Sequence, residues 1–383
     1  MKTIKTYLKK YTEATRRTKR LIFGTLAVLI LISTFAFIKI YKAIIHPNVM
    51  IANQDEFSLY IYSDYDFEDV KHILYKENII INKKSFEWLS KKLDYPKYVK
   101  SGHYVITNGM NNNRLLNMLR SGSQTPVDFT FNNIRTINQF AEKVDEQLEL
   151  DSSSFIKALN DNIVLKEMGF DKEKFAALFI PNTYELYWNI SAEDFIEKMI
   201  NEYNKFWDES RLQKVRDLKL TPIEVSIIAS IVDKETTKTS EMSRIAGVYL
   251  NRINKKWLLQ ADPTLVFALG DFEIKRVLDV HKEIESPYNT YKYVGLPPGP
   301  ICIPSIASID AVLNAEKHKY FYFCAKDDLS GYHVFARNMS EHNVNAEKYR
   351  NYAISRISYR CTARYCKCSF KSRRCKHCKR EYF

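Results

Sequence analysis

Outside its last 23 residues the chain has only two cysteines, Cys302 and Cys324, too few to staple a body of this length. A small disulfide scaffold is excluded. No HExxH or comparable cluster occurs and the body histidines are scattered, so metal-dependent hydrolysis has no support and neither a metal nor a cofactor is expected. Internal repeats and low-complexity runs are also missing, and nothing in the bulk of the sequence has a disordered composition. The body lacks a basic surplus as well. Of the formal charge of +13, the first twenty residues carry +7 and residues 351–383 carry +9, which leaves −3 between them. A nucleic-acid partner is therefore not expected, since only the tail has the charge for one.

An apolar fraction of 45%, with 22 Phe and 25 Tyr in 383 residues, allows two or three folded units with real cores. Between Arg20 and Lys39 lie eighteen uncharged residues, LIFGTLAVLILISTFAFI, which is membrane-spanning length at about 1.5 Å per residue. No small-x-small cleavage signal follows in YKAIIHPN, so a retained anchor is expected in place of a cleaved signal peptide. The cluster Arg16, Arg17, Lys19 and Arg20 predicts a cytoplasmic N-terminus and an exported body. At the other end, Cys361, Cys366, Cys368, Cys375 and Cys378 form C-x4-C-x-C-x6-C-x2-C around His377. This matches no familiar finger spacing well, and zinc, disulfides and an adventitious extension stay open.

The fold class expected is α+β: a single-pass anchor, a small α+β module, and a mixed α/β main domain. The boundaries are a basic segment 1–20, a transmembrane helix 21–43, the module at 44–125, the main domain at 126–350 and the basic Cys-rich tail 351–383. In the module, a strand from Glu56 precedes a helix opened by Asp66, Glu68 and Asp69, a second helix fits Lys84–Leu93, and Tyr98–Ile106 reads as extended. Helical patterns follow at TINQFAEKVDEQL and SSSFIKALND, then FIPNTYELYWN reads as a loop. SAEDFIEKMINEYNKFWDES reads as one helix, with Ser191 and Asp194 close to a capping box.

Thr221, Pro222 and Glu224 make a strong helix start with N-cap, N1 and N3 residues. In the helix they open, Val225, Ile228, Ile231 or Val232, and Glu235 share one face. Glu235 is thus the carboxylate on the apolar stripe, near the negative helix end, and both settings raise its pKa toward that of a general acid. A helix-terminal glutamate turned to water is the plain alternative. A second amphipathic helix from Ser240 places Ile245, Val248 or Tyr249, and Arg252 together. In LLQADPTLVFALG, Asp262-Pro263 reads as a break, with Gln260, Asp262 and Thr264 at alternating positions. SPYNTYKYVGLPPGPICIPS reads as a rigid non-helical wall whose tyrosines suit sugar rings, and where Asn289 suits N-acetyl or hydroxyl groups.

The ordered blocks IIASIVDKET, GVYLNRI, LLQADPTLVFALG, SPYNTYKYVGLPPGPI and YFYFCAKDDLSGYHVFARNMSEHN, with FIPNTYELY and the anchor, resemble the MltG/YceG-like family of endolytic murein transglycosylases. The resemblance covers roughly residues 20–350. It implies a membrane-bound lyase on the outer side of the cytoplasmic membrane, acting on peptidoglycan strands without cofactor and partnering peptidoglycan synthases. It implies Glu235 as the single catalytic acid and base, with Asp233 in a supporting place where the family motif has Glu. Gln260, Asp262, Thr264, Asn289, Tyr291 and His333 are the substrate-binding candidates. It further implies a LysM-like, ββαβ-type element at residues 44–125, whereas the tail has no expected counterpart. The alternative is a catalytically silent, membrane-anchored scaffold that holds peptidoglycan.

Overall fold

The computed structural model describes residues 2–52 and 54–364. Helix α1 (Lys2–Ile44) contains one span, Thr18–Ile44, long and apolar enough to cross a membrane, with an 18-residue stretch of mean hydropathy 2.6 that is not buried against the protein. Two of its hydroxyls bond within the helix, Thr25 Oγ1 on Ile22 O at 2.9 Å and Thr34 Oγ1 on Ile30 O at 2.8 Å. In a bilayer core such internal bonds are required, because no water is there to take them.

The chain divides into two units, the first made of residues 1–129, 147–149 and 184–190. In it β1 (Glu56–Ile61) is followed by α2 (Phe67–Lys76), α3 (Lys83–Lys92), β2 (Gly102–Thr107) and α4 (Asn112–Ser121). The strands pair antiparallel, from Glu56 with Thr107 to Ile61 with Gly102. This strand-helix-helix-strand-helix order replaces the ββαβ order expected. Asp66 and Asp69 form a reciprocal capping box at α2, Asn82 caps α3 and Asn111 caps α4. Leu59, Ile61, Val70, Leu74, Phe86, Tyr104, Ile106 and Leu115 make the core, and Ile44 at the end of α1 packs on it. Asn112 ties the same place by polar bonds, giving Nδ2 to Ala43 O at 2.8 Å and to Ser85 Oγ at 3.0 Å. Strand β3 (Val127–Thr130) leads out of this unit.

The second unit starts with α5 (Ile137–Gln147), α6 (Ser152–Asp161) and α7 (Ile163–Glu167). The segment expected as a loop contains β4 (Thr183–Leu186), which returns to the first unit from Tyr184 on and joins β3 in a two-stranded sheet. Its alternating exposure is a strand signature hidden by the neighbouring Pro181. Phe131, Phe140, Phe155, Phe179 and Phe195 form a ring cluster, with Phe140 and Phe179 centroids 4.2 Å apart. The helix expected from Ser191 forms as α8 (Ala192–Phe206) and ends at Trp207, a few residues early, and Asp208 caps a separate α9 (Glu209–Leu218). Ser191 caps Asp194 N, but no reciprocal bond completes a box.

Helix α10 (Pro222–Glu235) has the capping box of Thr221 and Glu224. From Val225 to Val232 every residue is buried, so it is a central helix apolar all round, not a striped surface helix. Helices α11 (Thr239–Asn254), α12 (Asp262–Leu269) and α13 (Ile306–Leu313) pack against it. Gly247 of α11 is required there, because a Cβ would meet Glu316 O at 2.4 Å. A hairpin of β5 (Tyr322–Ala325) and β6 (His333–Ala336) leads to α14 (Met339–Arg364). That helix runs through the boundary expected at residue 350. The tail cysteines and the alternatives attached to them lie outside the described side chains.

Candidate active site

Glu235 ends α10, and the helix that follows supplies its neighbours. From α11, Tyr249 donates its hydroxyl to Glu235 Oε1 at 2.5 Å. One turn on, the buried Arg252 is pinned by bonds to Phe321 O at 2.7 Å and Leu259 O at 2.6 Å, within electrostatic reach of Glu235. Asp262 opens α12, its Pro263 suiting a helix start, where the sequence had read a break. It accepts a 2.5 Å hydrogen bond from the Tyr291 hydroxyl. These groups, with exposed Gln260 in a left-handed conformation (φ 47°), Tyr322 and His333, line a cavity of about 400 Å³.

Glu235 keeps some open surface, but its carboxyl end is enclosed by protein. Burial pushes its pKa up to about 7, and the charge of Asp262 acts in the same direction, while the Tyr249 hydrogen bond and the charge of Arg252 oppose the rise. Burial also raises both tyrosines above their ordinary value, so they remain donors at neutral pH. The result is a carboxyl with both protonation states accessible near neutrality, facing a cavity of hydroxyl, aromatic and charged groups.

A sequence model of the YceG-like family matches residues 59–348. A Bacillus subtilis (strain 168) protein named endolytic murein transglycosylase is 30% identical over 301 residues, covering 73% of this chain and 81% of its own length. A protein of the same name from Streptococcus pneumoniae serotype 2 is 27% identical over 315 residues, 74% of this chain but 56% of that protein. The crystal structure of a YceG-like protein from Listeria monocytogenes superposes with a TM-score of 0.51 at 27% identity, over 76% of this chain and 98% of the other. This chain belongs to the YceG-like family.

Within this YceG-like site the structure brings Gln260, Asp262, Tyr291 and His333 to the cavity that Glu235 faces. It does not bring Thr264 or Asn289. The Thr264 hydroxyl is fully buried, bonded to Ala261 O at 2.8 Å and Thr290 Oγ1 at 2.9 Å. Asn289 is buried too: Nδ2 donates to Lys282 O and Ile284 O at 2.8 and 2.9 Å, and Oδ1 accepts from Tyr291 N at 3.0 Å. Both stand behind the wall and brace it, because their polar atoms are already engaged by backbone groups and, for Thr264, also by Thr290 Oγ1. His333 is gripped by the buried Glu241, whose Oε1 accepts from His333 N at 2.9 Å and whose Oε2 lies 3.2 Å from Nδ1. Asp233 faces elsewhere and accepts from Ser305 N at 3.0 Å, clipping the proline-rich segment to α10.

Tyr249 and Arg252 were missed as site residues. Their signal was present: an arginine sharing an apolar helix face is a charge that burial has to justify. Tyr322 and His342, whose rings lie 5.5 Å apart at the rim, come from β5 and α14 and carry no such pattern.

Proposed function

We propose that this chain is a membrane-anchored endolytic peptidoglycan transglycosylase in which Glu235 is the single acid and base. The observation that carries the reading is an enclosed carboxyl with a pKa near 7, held by Tyr249 at the mouth of a sugar-sized cavity. Tyr249 occupies Oε1, which leaves Oε2 to hold the proton. The protonated carboxyl gives that proton to the glycosidic oxygen leaving the muramyl residue, and the C1–O bond breaks. The Asp262 carboxylate, fixed by Tyr291, offsets the positive charge that develops on the ring. The Glu235 carboxylate, now favoured by Arg252 and Tyr249, takes the proton from the sugar's own C6 hydroxyl as that oxygen bonds to C1. A 1,6-anhydro ring closes, and no water is consumed.

The setting of this chemistry belongs to the same proposal. Eight basic residues before the apolar span support a cytoplasmic N-terminus with the body on the outer face of the cytoplasmic membrane. Residues 44–125 act as a LysM-like, peptidoglycan-associated module, residues 126–350 as the catalytic domain, and peptidoglycan synthases are the partners.

The test is mass spectrometry of products released from purified sacculi by the wild type, Glu235→Gln and Asp233→Asn. Wild type yields anhydro-muramyl ends. Glu235→Gln yields none, since general acid and base groups supply about 10²–10⁴-fold. Asp233→Asn retains substantial activity, because an amide oxygen still accepts from Ser305 N. Anhydro ends from Glu235→Gln, or reducing ends from the wild type, would overturn the mechanism; binding without any product would favour the scaffold.

A further inference from the structure

Glu235 borders a second cavity, of about 780 Å³, that the glycosidic step does not use. The two cavities share Glu235, Ala325 and His333, but their walls differ in kind. The first offers tyrosine hydroxyls and rings around a single cation, Arg252, and the carboxylate of Asp262. The second offers cations and amides, with Arg135, Lys234, Asn132 and Asn133 on its wall.

The cations are held by neutral partners. Lys234 Nζ donates to Asn133 Oδ1 at 2.7 Å, and the Arg135 guanidinium lies 4.8 Å from the centre of the Phe272 ring. Lys238 stands at the edge, 5.3 Å from the centre of the Tyr332 ring. Rings and amides fix a cation in place without cancelling its charge. The carboxylates facing the same space are Asp233, which Ser305 N holds without cancelling its charge, and Glu235 itself, so with Glu235 protonated two cations face one carboxylate. The cavity is thus built for an anion that reaches the cleaved bond from one side.

Resting on the glycan-cleaving reading, we infer that the second cavity receives the peptide on the muramyl residue, with Arg135 and Lys234 holding a carboxylate of that peptide. Guanidinium groups bind carboxylates through paired N–H donors, and an arginine already ordered by stacking loses little entropy in doing so. The muramyl lactyl group is the point from which a peptide departs a strand whose bond lies at Glu235. An enzyme so built selects strands that bear peptides over bare glycan.

The test compares kcat/KM of the full chain in detergent on three substrates: strands bearing peptides, the same strands stripped of peptides by an amidase and with the lactyl carboxylate so exposed capped as its amide, and strands whose peptide carboxylates are amidated. Anhydro ends are counted in each case. Wild type should prefer carboxylate-bearing strands by about tenfold or more, the worth of one charged hydrogen-bonded pair. Amidated strands should behave as stripped ones, and this comparison needs no variant to fold. Arg135→Gln and Lys234→Gln should bring the ratio of bearing to stripped substrate toward one, chiefly through KM, with Arg135→Lys restoring part of it. Equal rates on all three substrates, or variants that leave the ratio untouched, would overturn the inference while the glycan-cleaving reading stands. No anhydro product from any substrate would overturn both.

Discussion

At the scale of the residue, the site turns on how α10 and α11 divide the environment of one carboxyl. Burial and Asp262 favour its neutral form, and Tyr249 and Arg252 favour its charged form. A pKa near 7 against an ordinary 4.5 also carries a sign for stability. Between those values the folded state holds a proton that the unfolded state has released, so stability falls as pH rises, with the full cost present above about 7. Glu235→Gln removes that cost. Its stability should equal that of the wild type near pH 4 and exceed it by about 3 kcal/mol near pH 8, as read by thermal melts at the two pH values. Equal melts throughout would mean a carboxyl with ordinary solvation. Tyr249→Phe deletes a hydrogen bond that opposes the rise, so the alkaline limb of kcat/KM should move upward while the maximum drops about tenfold or more. The candidate Glu235 was legible because its position on the helix follows from counting. Tyr249 was half legible, on the right helix face but without a role, since which hydroxyl meets which carboxyl is decided by the crossing of two helices.

At the scale of the element, the structure departs from the sequence pattern where tertiary contacts choose among local options. Asp262-Pro263 supports a break or a helix start equally well, and packing of α12 on α10 selects the start. Thr264 then turns inward instead of sharing a strand face with Asp262. Apolar spacing in α10 predicted one stripe, but all eight residues from Val225 to Val232 are enclosed, since α9, α11, α12 and α13 surround the helix. Helices α2 and α8 were readable from their starts, because Asp66 and Ser191 satisfy backbone donors without help from distant chain, and α3 from its apolar spacing. One glycine tests the packing argument by reversing a usual sign. Glycine to alanine inside a helix ordinarily stabilises by about 1 kcal/mol. Gly247→Ala should instead destabilise by about 1–3 kcal/mol, since its Cβ would lie 2.4 Å from Glu316 O and 2.7 Å from His318 Nε2. A raised Tm would show that α11 can draw back from this backbone freely.

At the scale of the molecule, charge sits at the two ends and chemistry between them, so each end can be tested apart from the site. Protease added to spheroplasts should digest the body while sparing a tag at Met1, and a protected body would overturn the proposed topology. The C-terminal end poses the finer question, because α14 belongs partly to the cavity and partly to the basic tail. Its first turns do structural work: Met339 and His342 line the first cavity, and Glu341 accepts from Arg337 N at 2.9 Å and from Asn338 Nδ2 at 3.2 Å. The helix also packs on β5 and β6, whose His333 faces both cavities. The side chains named here, Met339, Glu341 and His342, all lie before residue 350. Truncation after Arg350 should therefore leave turnover of soluble glycan within a few-fold, while removing the +9 of residues 351–383 and with it any salt-sensitive attraction to anionic surfaces. Truncation after Ala336 takes away Met339, His342 and the support of the hairpin, and should abolish turnover. If the longer truncation product were inactive with an unchanged circular dichroism spectrum, the tail would have to reach the site itself; if the shorter one were active, the first turns of α14 would be no part of it.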